Sequence, residues 1–188
     1  MSSIVVPEGL AGPLVHLRAL HERDAAAYAR AYREDPELGR LQGHESDPDE
    51  DRVRENAARS RSAAESGEGI ELAICDAASG DFVGAISLLE LDRQRGRCEL
   101  AYWLIPQARG GGLIDAAITL LLDWVFTELG LLRVEIATTA ENTRSQAVAL
   151  RHGFVREARQ RQRDIERGRR VDVIQFGLLR EEHAVVRG

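Results

Sequence analysis

The sequence predicts an α+β fold: a mixed, mostly antiparallel central sheet of about six to seven strands with helices on both faces. Three observations carry this. Antiparallel strand-like runs come first, then a strand–helix–strand unit and a terminal pair of strands, an order that sets helices against both faces of one sheet. A glycine run, Arg109-Gly110-Gly111-Gly112, stands between a strand-like stretch closed by Pro106 and an amphipathic helix. The 188 residues are 44% hydrophobic and 30% charged, which suits one globular domain with a sizeable core.

Residues 1–12 read as a flexible lead-in, 13–181 as the single domain and 182–188 as a C-terminal tail. Val15 to Leu20 is strand-like, and Asp24 is placed to cap a helix through Arg33. From Glu45 to Asp51 five acids surround Pro48, a solvated loop that leads into a helix from about Arg52 to Ala64, ended by Gly67. Ile70 to Ala77 and Phe82 to Leu91 make a hairpin around Ser79-Gly80-Asp81. Arg97 to Ile105 is the next strand. Beyond the glycines, Ile114, Ala117, Ile118, Leu121, Leu122 and Val125 form one apolar stripe of a helix that Gly130 stops. Leu132 to Thr138 is strand-like, Thr143 to His152 a short helix closed by Gly153, and Phe154–Gln162 and Val171–Leu179 the last two strands.

Composition excludes several classes. All 25 basic residues are arginine and the net charge is −6, so a general nucleic-acid binder is not expected. Seven arginines and three acids lie between Arg156 and Arg170. They read as a solvated hairpin, with attraction of an anionic partner such as cofactor phosphate, acidic peptide or RNA as the alternative. Cys75 and Cys98 sit in apolar runs as reduced thiols, and His16, His21, His44, His152 and His183 show no ligand spacing, so no metal is expected. No apolar run approaches 18 residues and no leader pattern is seen, which predicts a cytoplasmic protein with no membrane partner.

Glycines between a strand and a helix leave backbone N–H groups at the positive end of the helix dipole, where they can hold phosphate. The commoner nucleotide loops do not fit. A P-loop needs Lys then Ser or Thr, whereas Leu113-Ile114 follow here, and the dinucleotide fingerprint needs a glycine at position 115, which is Asp.

Four motifs stand in order: Tyr102-Trp103-Leu104-x-Pro106, Arg109-Gly110-x-Gly112, Glu141-Asn142-x-x-Ser145 and Gly153-Phe154. Together they resemble the GNAT acyltransferases, in particular the RimJ/RimL-like branch, from Val15 to Leu179. The resemblance implies an acetyl-CoA-dependent N-acetyltransferase that uses a primary amine, a protein N-terminus or a small amine, by direct attack in a ternary complex. It implies that Arg109, Gly110, Gly111, Gly112 and Leu113 hold the pyrophosphate, that Tyr102, Leu104 and Ile105 line the pantetheine arm where two strands splay, and that Asn142 contacts the cofactor. The family's loop pattern ends in Gly or Ala where this chain has Ile114, which is expected to pack inward along the helix stripe.

Acyl transfer also needs a base for the amine and a proton for the leaving thiolate. Many relatives use a tyrosine four residues before the Gly-Phe glycine; that position is Ala149 here, and the RimL-like branch points to Ser145 instead. Thr143-x-x-Gln146 also matches a capping box, and Asn142 a plain cap. Glu99 alternates with Ala101 and Trp103, so its carboxyl lies beside apolar groups, where a raised pKa suits a base; an ion pair with an arginine is the alternative. Glu135 reads as solvent-facing or paired, and His152 as a partner of its helix dipole. A catalytically silent acyl-CoA-binding sensor or assembly protein remains the alternative function. Residues 34–50 and 162–170 are expected to form the acceptor pocket. Tyr28, Trp124 and Phe126 do not fit one core by periodicity, which suggests a homodimer or packing under the sheet edges.

Overall fold

The computed structural model describes residues 3–5, 10–41 and 48–187, with backbone alone at 185–187. One eight-stranded sheet runs in the order β1-β2-β3-β4-β5-β6-β8-β7. Its strands are β1 (Leu10–Ala11), β2 (Val15–Ala19), β3 (Ile70–Asp76), β4 (Phe82–Asp92), β5 (Arg97–Leu104), β6 (Arg133–Thr139), β7 (Val155–Glu166) and β8 (Arg169–Leu179). Every neighbouring pair is antiparallel except β5 and β6, which the intervening helix makes parallel.

Helices α1 (Ala25–Glu34), α2 (Pro36–Leu41) and α3 (Glu50–Ser66) precede β3; α4 (Leu113–Thr127) and α5 (Thr143–Arg151) flank β6; α6 (Arg180–Arg187) ends the chain. The α4 stripe is buried as its periodicity requires: Ala117, Ile118, Leu121, Leu122 and Val125 pack with Leu100, Val134 and Phe176 on one face of the sheet. On the other face α1 and α3 bury Tyr28, Tyr32, Val53 and Ala57 against Ala73, Ala85 and Trp103. Alternation along β5 thus sends Leu100 and Leu104 into the α4 layer and Trp103 into the α1–α3 layer.

Several local expectations change in three dimensions. The Asp24 carboxylate does not cap α1; it accepts both guanidinium nitrogens of Arg18 at 2.7 Å and the His21 N–H at 2.9 Å. A two-pronged charge-assisted bond wins over a single cap bond. Helix α5 is capped by Asn142, whose Oδ1 accepts the Ser145 N–H at 3.1 Å, while Gln146 donates to the carbonyl of Ala140 instead of closing a capping box with Thr143. Asp49 caps α3 through the Arg52 N–H, and Gly67 ends it in the left-handed region. The rest of the acidic loop, 42–47, lies outside the described residues.

Both ends of the chain carry structure that local patterning does not announce. Ile4 is buried, with its N–H bonded to the Ala64 carbonyl, and Leu10 and Ala11 pair with Leu17 and His16. Helix α6 runs through the expected tail. Its His183 bonds Asp123 of α4 at 2.8 Å and lies 5.1 Å, ring to ring, from Phe126. Trp124 and Phe126 are therefore covered within the chain, and Tyr28 packs edge-on to Trp103 with ring centroids 4.8 Å apart. These rings supply no exposed apolar face for a second copy. No helix among the described residues is long and apolar enough to cross a membrane.

Candidate active site

The parallel pairing of β5 and β6 covers Arg97–Arg133, Cys98–Val134 and Glu99–Glu135 and then stops. Beyond it the strands part, and the gap opens a cleft of about 780 Å³. Ile105 donates to Val83, so alternation assigns Trp103, Ala101 and Glu99 to the bonds with β4, while Tyr102 presents its backbone groups, and Leu104 its N–H, to the gap. On the facing strand Ala140 donates to Asp172, which by the same alternation turns Ala137 and Thr139 toward the gap. Ile105, expected to line this arm, is thus bonded away from the gap.

At one end of the cleft Pro106–Ala108 forms a 3-10 turn and the glycines follow. Gly110 and Gly112 have φ of +84° and +77°, a region costly for other residues. Gly112 is the N-cap of α4 and offers no side-chain acceptor, so the first-turn N–H groups face outward at the positive helix end. A Cβ added at Gly110 or Gly111 would meet nothing within 4 Å. The open cradle and its bare donors suit a pyrophosphate. Ile114 is half-buried, packs on the core below and borders the cleft.

Arg109 does other work. Its guanidinium donates to the Leu104 carbonyl at 2.9 and 3.1 Å and pairs with Asp35 at the end of α1. It straps the glycine loop to β5 and α1 through Nε and Nη2 while the residue still borders the cleft.

The second turn of the site comes from α5. Tyr102 Oη lies 3.1 Å from Ser145 Oγ, and burial pushes the Tyr102 phenol up to about 12, so it stays protonated. Asn142 and Ser145 both border the cleft, Asn142 holding the α5 cap. Ala149 is fully buried on the inner face of α5. Asp115 sits in the first turn of α4, where it could compete with an anion, but Arg151 at 3.0 Å and His152 at 3.1 Å draw its carboxylate toward α5. Burial pulls the His152 imidazole below its ordinary pKa.

Glu99 borders the cleft on the α1–α3 side, half-buried, with no hydrogen bond to its carboxylate among the described residues. Burial, aided by the negative charge of Glu90, raises its pKa. Glu135, its register partner, is held by Arg97 at 3.2 Å and Arg133 at 2.7 Å. Glu90 itself has φ +47° at the irregularity where β4 leaves its register with β5, an uncommon conformation for a non-glycine residue and one that bulges favour beside functional sites.

Helix α2 forms the far wall, and local patterning missed it. Arg40 bonds Glu166 at 2.8 Å and also holds the exposed Glu37, while Arg167 at the hairpin turn donates to the Pro36 carbonyl at 2.8 Å. With Arg109–Asp35, these ties suspend α2 between the glycine loop and the β7–β8 hairpin. Leu38, Arg40, Arg163, Asp164 and Glu166 therefore reach the cleft. They come from the two segments expected to shape the acceptor pocket. Of the arginine-rich hairpin, Arg159 and Arg169 are paired with Asp172 and Glu141. Among the described residues no group of three or more His, Cys, Asp or Glu could hold a metal.

Residues 15–155 match the family model described as Acetyltransferase (GNAT) domain. The chain is 36% identical over 103 residues to YdaF of Bacillus subtilis (strain 168), named as a candidate ribosomal N-acetyltransferase; that alignment spans 55% of this chain and 56% of YdaF. It is 27% identical over 168 residues to the uncharacterized N-acetyltransferase p20 of Bacillus licheniformis, covering 89% and 94% of the two. The structure of Mycobacterium smegmatis RimJ in complex with CoA-disulfide superposes with a TM-score of 0.84 at 27% identity, over 91% of this chain and 87% of that one.

Proposed function

Because the chain belongs to the GNAT family of acetyltransferases, in its RimJ/RimL-like branch, we propose that it transfers an acetyl group from acetyl-CoA to a primary amine by direct attack in a ternary complex. One observation carries this reading. The β5–β6 splay opens a backbone edge at Tyr102 beside an open glycine cradle at one end and, on the opposite side, the half-buried Glu99 carboxyl, which has no hydrogen bond among the described residues. A donor and an acceptor can therefore meet in one gap from two faces of the sheet.

Gly110, Gly111, Gly112 and Leu113 would hold the pyrophosphate through backbone N–H groups, and Tyr102 and Leu104 the amide-rich arm. Acetyl-CoA supplies the thioester carbonyl that an amine can attack. Glu99, with its pKa raised by burial and Glu90, takes a proton from the arriving ammonium, directly or through water. On the other face Ser145 hands a proton to the departing sulfur, the protonated Tyr102 beside it replaces that proton, and the proton shed by the newly acylated nitrogen restores the phenol through solvent. Among the described residues no Cys–His pair lines the cleft for a covalent acyl-enzyme: Cys75 and Cys98 are buried away from it, and burial pushes the Cys98 thiol up to about 12.

Protein N-termini stand among the proposed acceptors, and YdaF's name, which describes a candidate ribosomal N-acetyltransferase, is in keeping with a protein acceptor. Thiol release from acetyl-CoA, measured against a panel of peptides and small amines, is the test. Turnover with at least one amine is expected; CoA binding with no turnover on any of them would favour a silent acyl-CoA-binding protein.

A further inference from the structure

A second opening, of about 410 Å³, lies beside α3 over strands β3 and β4. Leu89, Glu90 and Ala101 border both it and the cleft, so the two adjoin. Register fixes the floor. Glu71, Ser87 and Ala101 stand side by side on β3, β4 and β5, and Leu89 and Glu99 form the next row on the same face. With strands about 4.8 Å apart and about 6.7 Å between successive residues of one face, the Cα atoms of Glu71 and Glu99 lie about 12 Å apart. The path between them runs past Ala101 and Ser87, whose small side chains leave it low, with Leu89 along its other side.

Glu71 brings a charge to this opening. Its carboxylate is half-buried yet partly open to solvent, and its Oε1 accepts from Tyr28 Oη at 3.1 Å. A neutral phenol is all that it meets: among the described residues no cation pairs with it, and burial raises its pKa. Arg59, the cation on the rim, is exposed and bonds Asn56 instead, while Glu68 and Glu90 add exposed acids to the same rim. A partly desolvated carboxylate without a counter-ion favours an arriving cation, which would keep it ionised. The group is also held before any ligand arrives. The Glu71 N–H donates to Ser60 Oγ at 2.8 Å, which fastens the strand to α3, and Tyr28 fixes the carboxylate.

We infer that Glu71 forms a subsite for a second cation of the acceptor, an ammonium or guanidinium, while the reacting amine sits at Glu99. The span suits a basic side chain one residue beyond a reacting N-terminus, or a straight diamine. The inference rests on the amine-acylation reading above. It adds an acceptor wall on the α3 side, away from α2 and the β7–β8 hairpin.

Two pairs of acceptors that differ in that charge test it: alanyl-arginine amide against alanyl-citrulline amide, and 1,6-diaminohexane against 6-aminohexanol. In at least one pair the wild type is expected to favour the cation by about tenfold in kcat/KM, the scale of one hydrogen bond to a charged group. A preference in the peptide pair alone makes a peptide the source of the cation, and one in the diamine pair alone a free diamine. Glu71→Gln keeps the bond from Tyr28 and should bring the ratio to near one, chiefly through KM. Ser87→Arg, which lays a guanidinium of the chain's own beside Glu71, should do the same. Glu68→Gln, on the exposed rim, should leave the ratio within about twofold. Thermal unfolding of each variant checks that the fold survives. Wild-type ratios near one in both pairs, a ratio unchanged in folded Glu71→Gln, or an equal loss in Glu68→Gln overturns the subsite while amine acylation stands. Turnover of other amines with none of these four accepted also overturns it. No turnover of any amine removes the reading and the subsite together.

Discussion

Tyr102 Oη and Ser145 Oγ meet 3.1 Å apart, joining the splayed strand β5 to the first turn of α5. Together they place a protonated phenol behind a serine hydroxyl at the edge of the cleft. The function proposed above gives this pair the acid role, while the position four residues before the Gly-Phe glycine is the buried Ala149.

If the two hydroxyls act as one unit, Ser145→Ala and Tyr102→Phe should each lower kcat by about a hundredfold, the lower end of what a positioned acid contributes. The double variant should lose little more than either single one, because groups that act together are not additive. CoA affinity, measured by calorimetry, should stay within about twofold. An unchanged kcat in Ser145→Ala would take this pair out of the chemistry.

Glu99 predicts a pH dependence with a definite sign. Burial and Glu90 raise its pKa in the folded protein, so the base is lost to protonation as pH falls through that raised value, and kcat should fall on the acid side. Glu99→Gln should abolish most turnover and flatten that limb. The same shift governs stability. An acid with a raised folded pKa contributes stability below its unfolded pKa and loses it as pH rises through the folded value. Glu99→Gln should thus raise the melting temperature at neutral pH. A melting temperature that falls would mean the carboxylate is held by favourable contacts.

The glycine loop separates binding from folding at adjacent positions. Gly112 has φ +77°, so Gly112→Val strains the backbone as well as crowding the phosphate, and both stability and CoA affinity should drop. Gly111 carries no such constraint and an added Cβ meets open space. Gly111→Val should leave the melting temperature nearly unchanged and weaken CoA about tenfold or more through a lost charge-assisted bond. Full affinity in the folded Gly111 variant would place the phosphates elsewhere.

Arg109 and Asp35 form a tie between the loop and α1. Asp35→Ala leaves the Arg109 guanidinium with only its carbonyl bonds, and denaturant unfolding should show a loss of about 1–3 kcal/mol. CoA binding should weaken by the amount that loosening the loop costs, in Asp35→Ala as in Arg109→Ala. A loss of affinity in Arg109→Ala alone, with stability intact, would instead mean that the guanidinium reaches the phosphates.

Short-range patterning in the chain was sufficient for the framework. The six apolar positions of α4, the Ser79–Asp81 hairpin, the ends at Gly67 and Gly130 and the glycine cradle before α4 all follow from periodicity and from backbone conformations that few residues tolerate. Most of the cleft-lining residues singled out from sequence, from Glu99 to Ser145, do gather there because they end or begin the same β–α–β unit.

Tertiary structure decided what depends on residues far apart in sequence. Asp24 has the residue type of a helix cap, yet the two nitrogens of Arg18 claim it. Arg109 matches a cofactor motif, yet Asp35, 74 positions away, turns it into a strap. Glu166 lies unmarked in an arginine-rich hairpin, yet Arg40, 126 positions distant, ties it to α2 at the edge of the cleft. Periodicity and turn chemistry are local and can be read along the chain. The partner of a charged side chain, and the gap left where two strands part, are set by register and packing across the whole sheet.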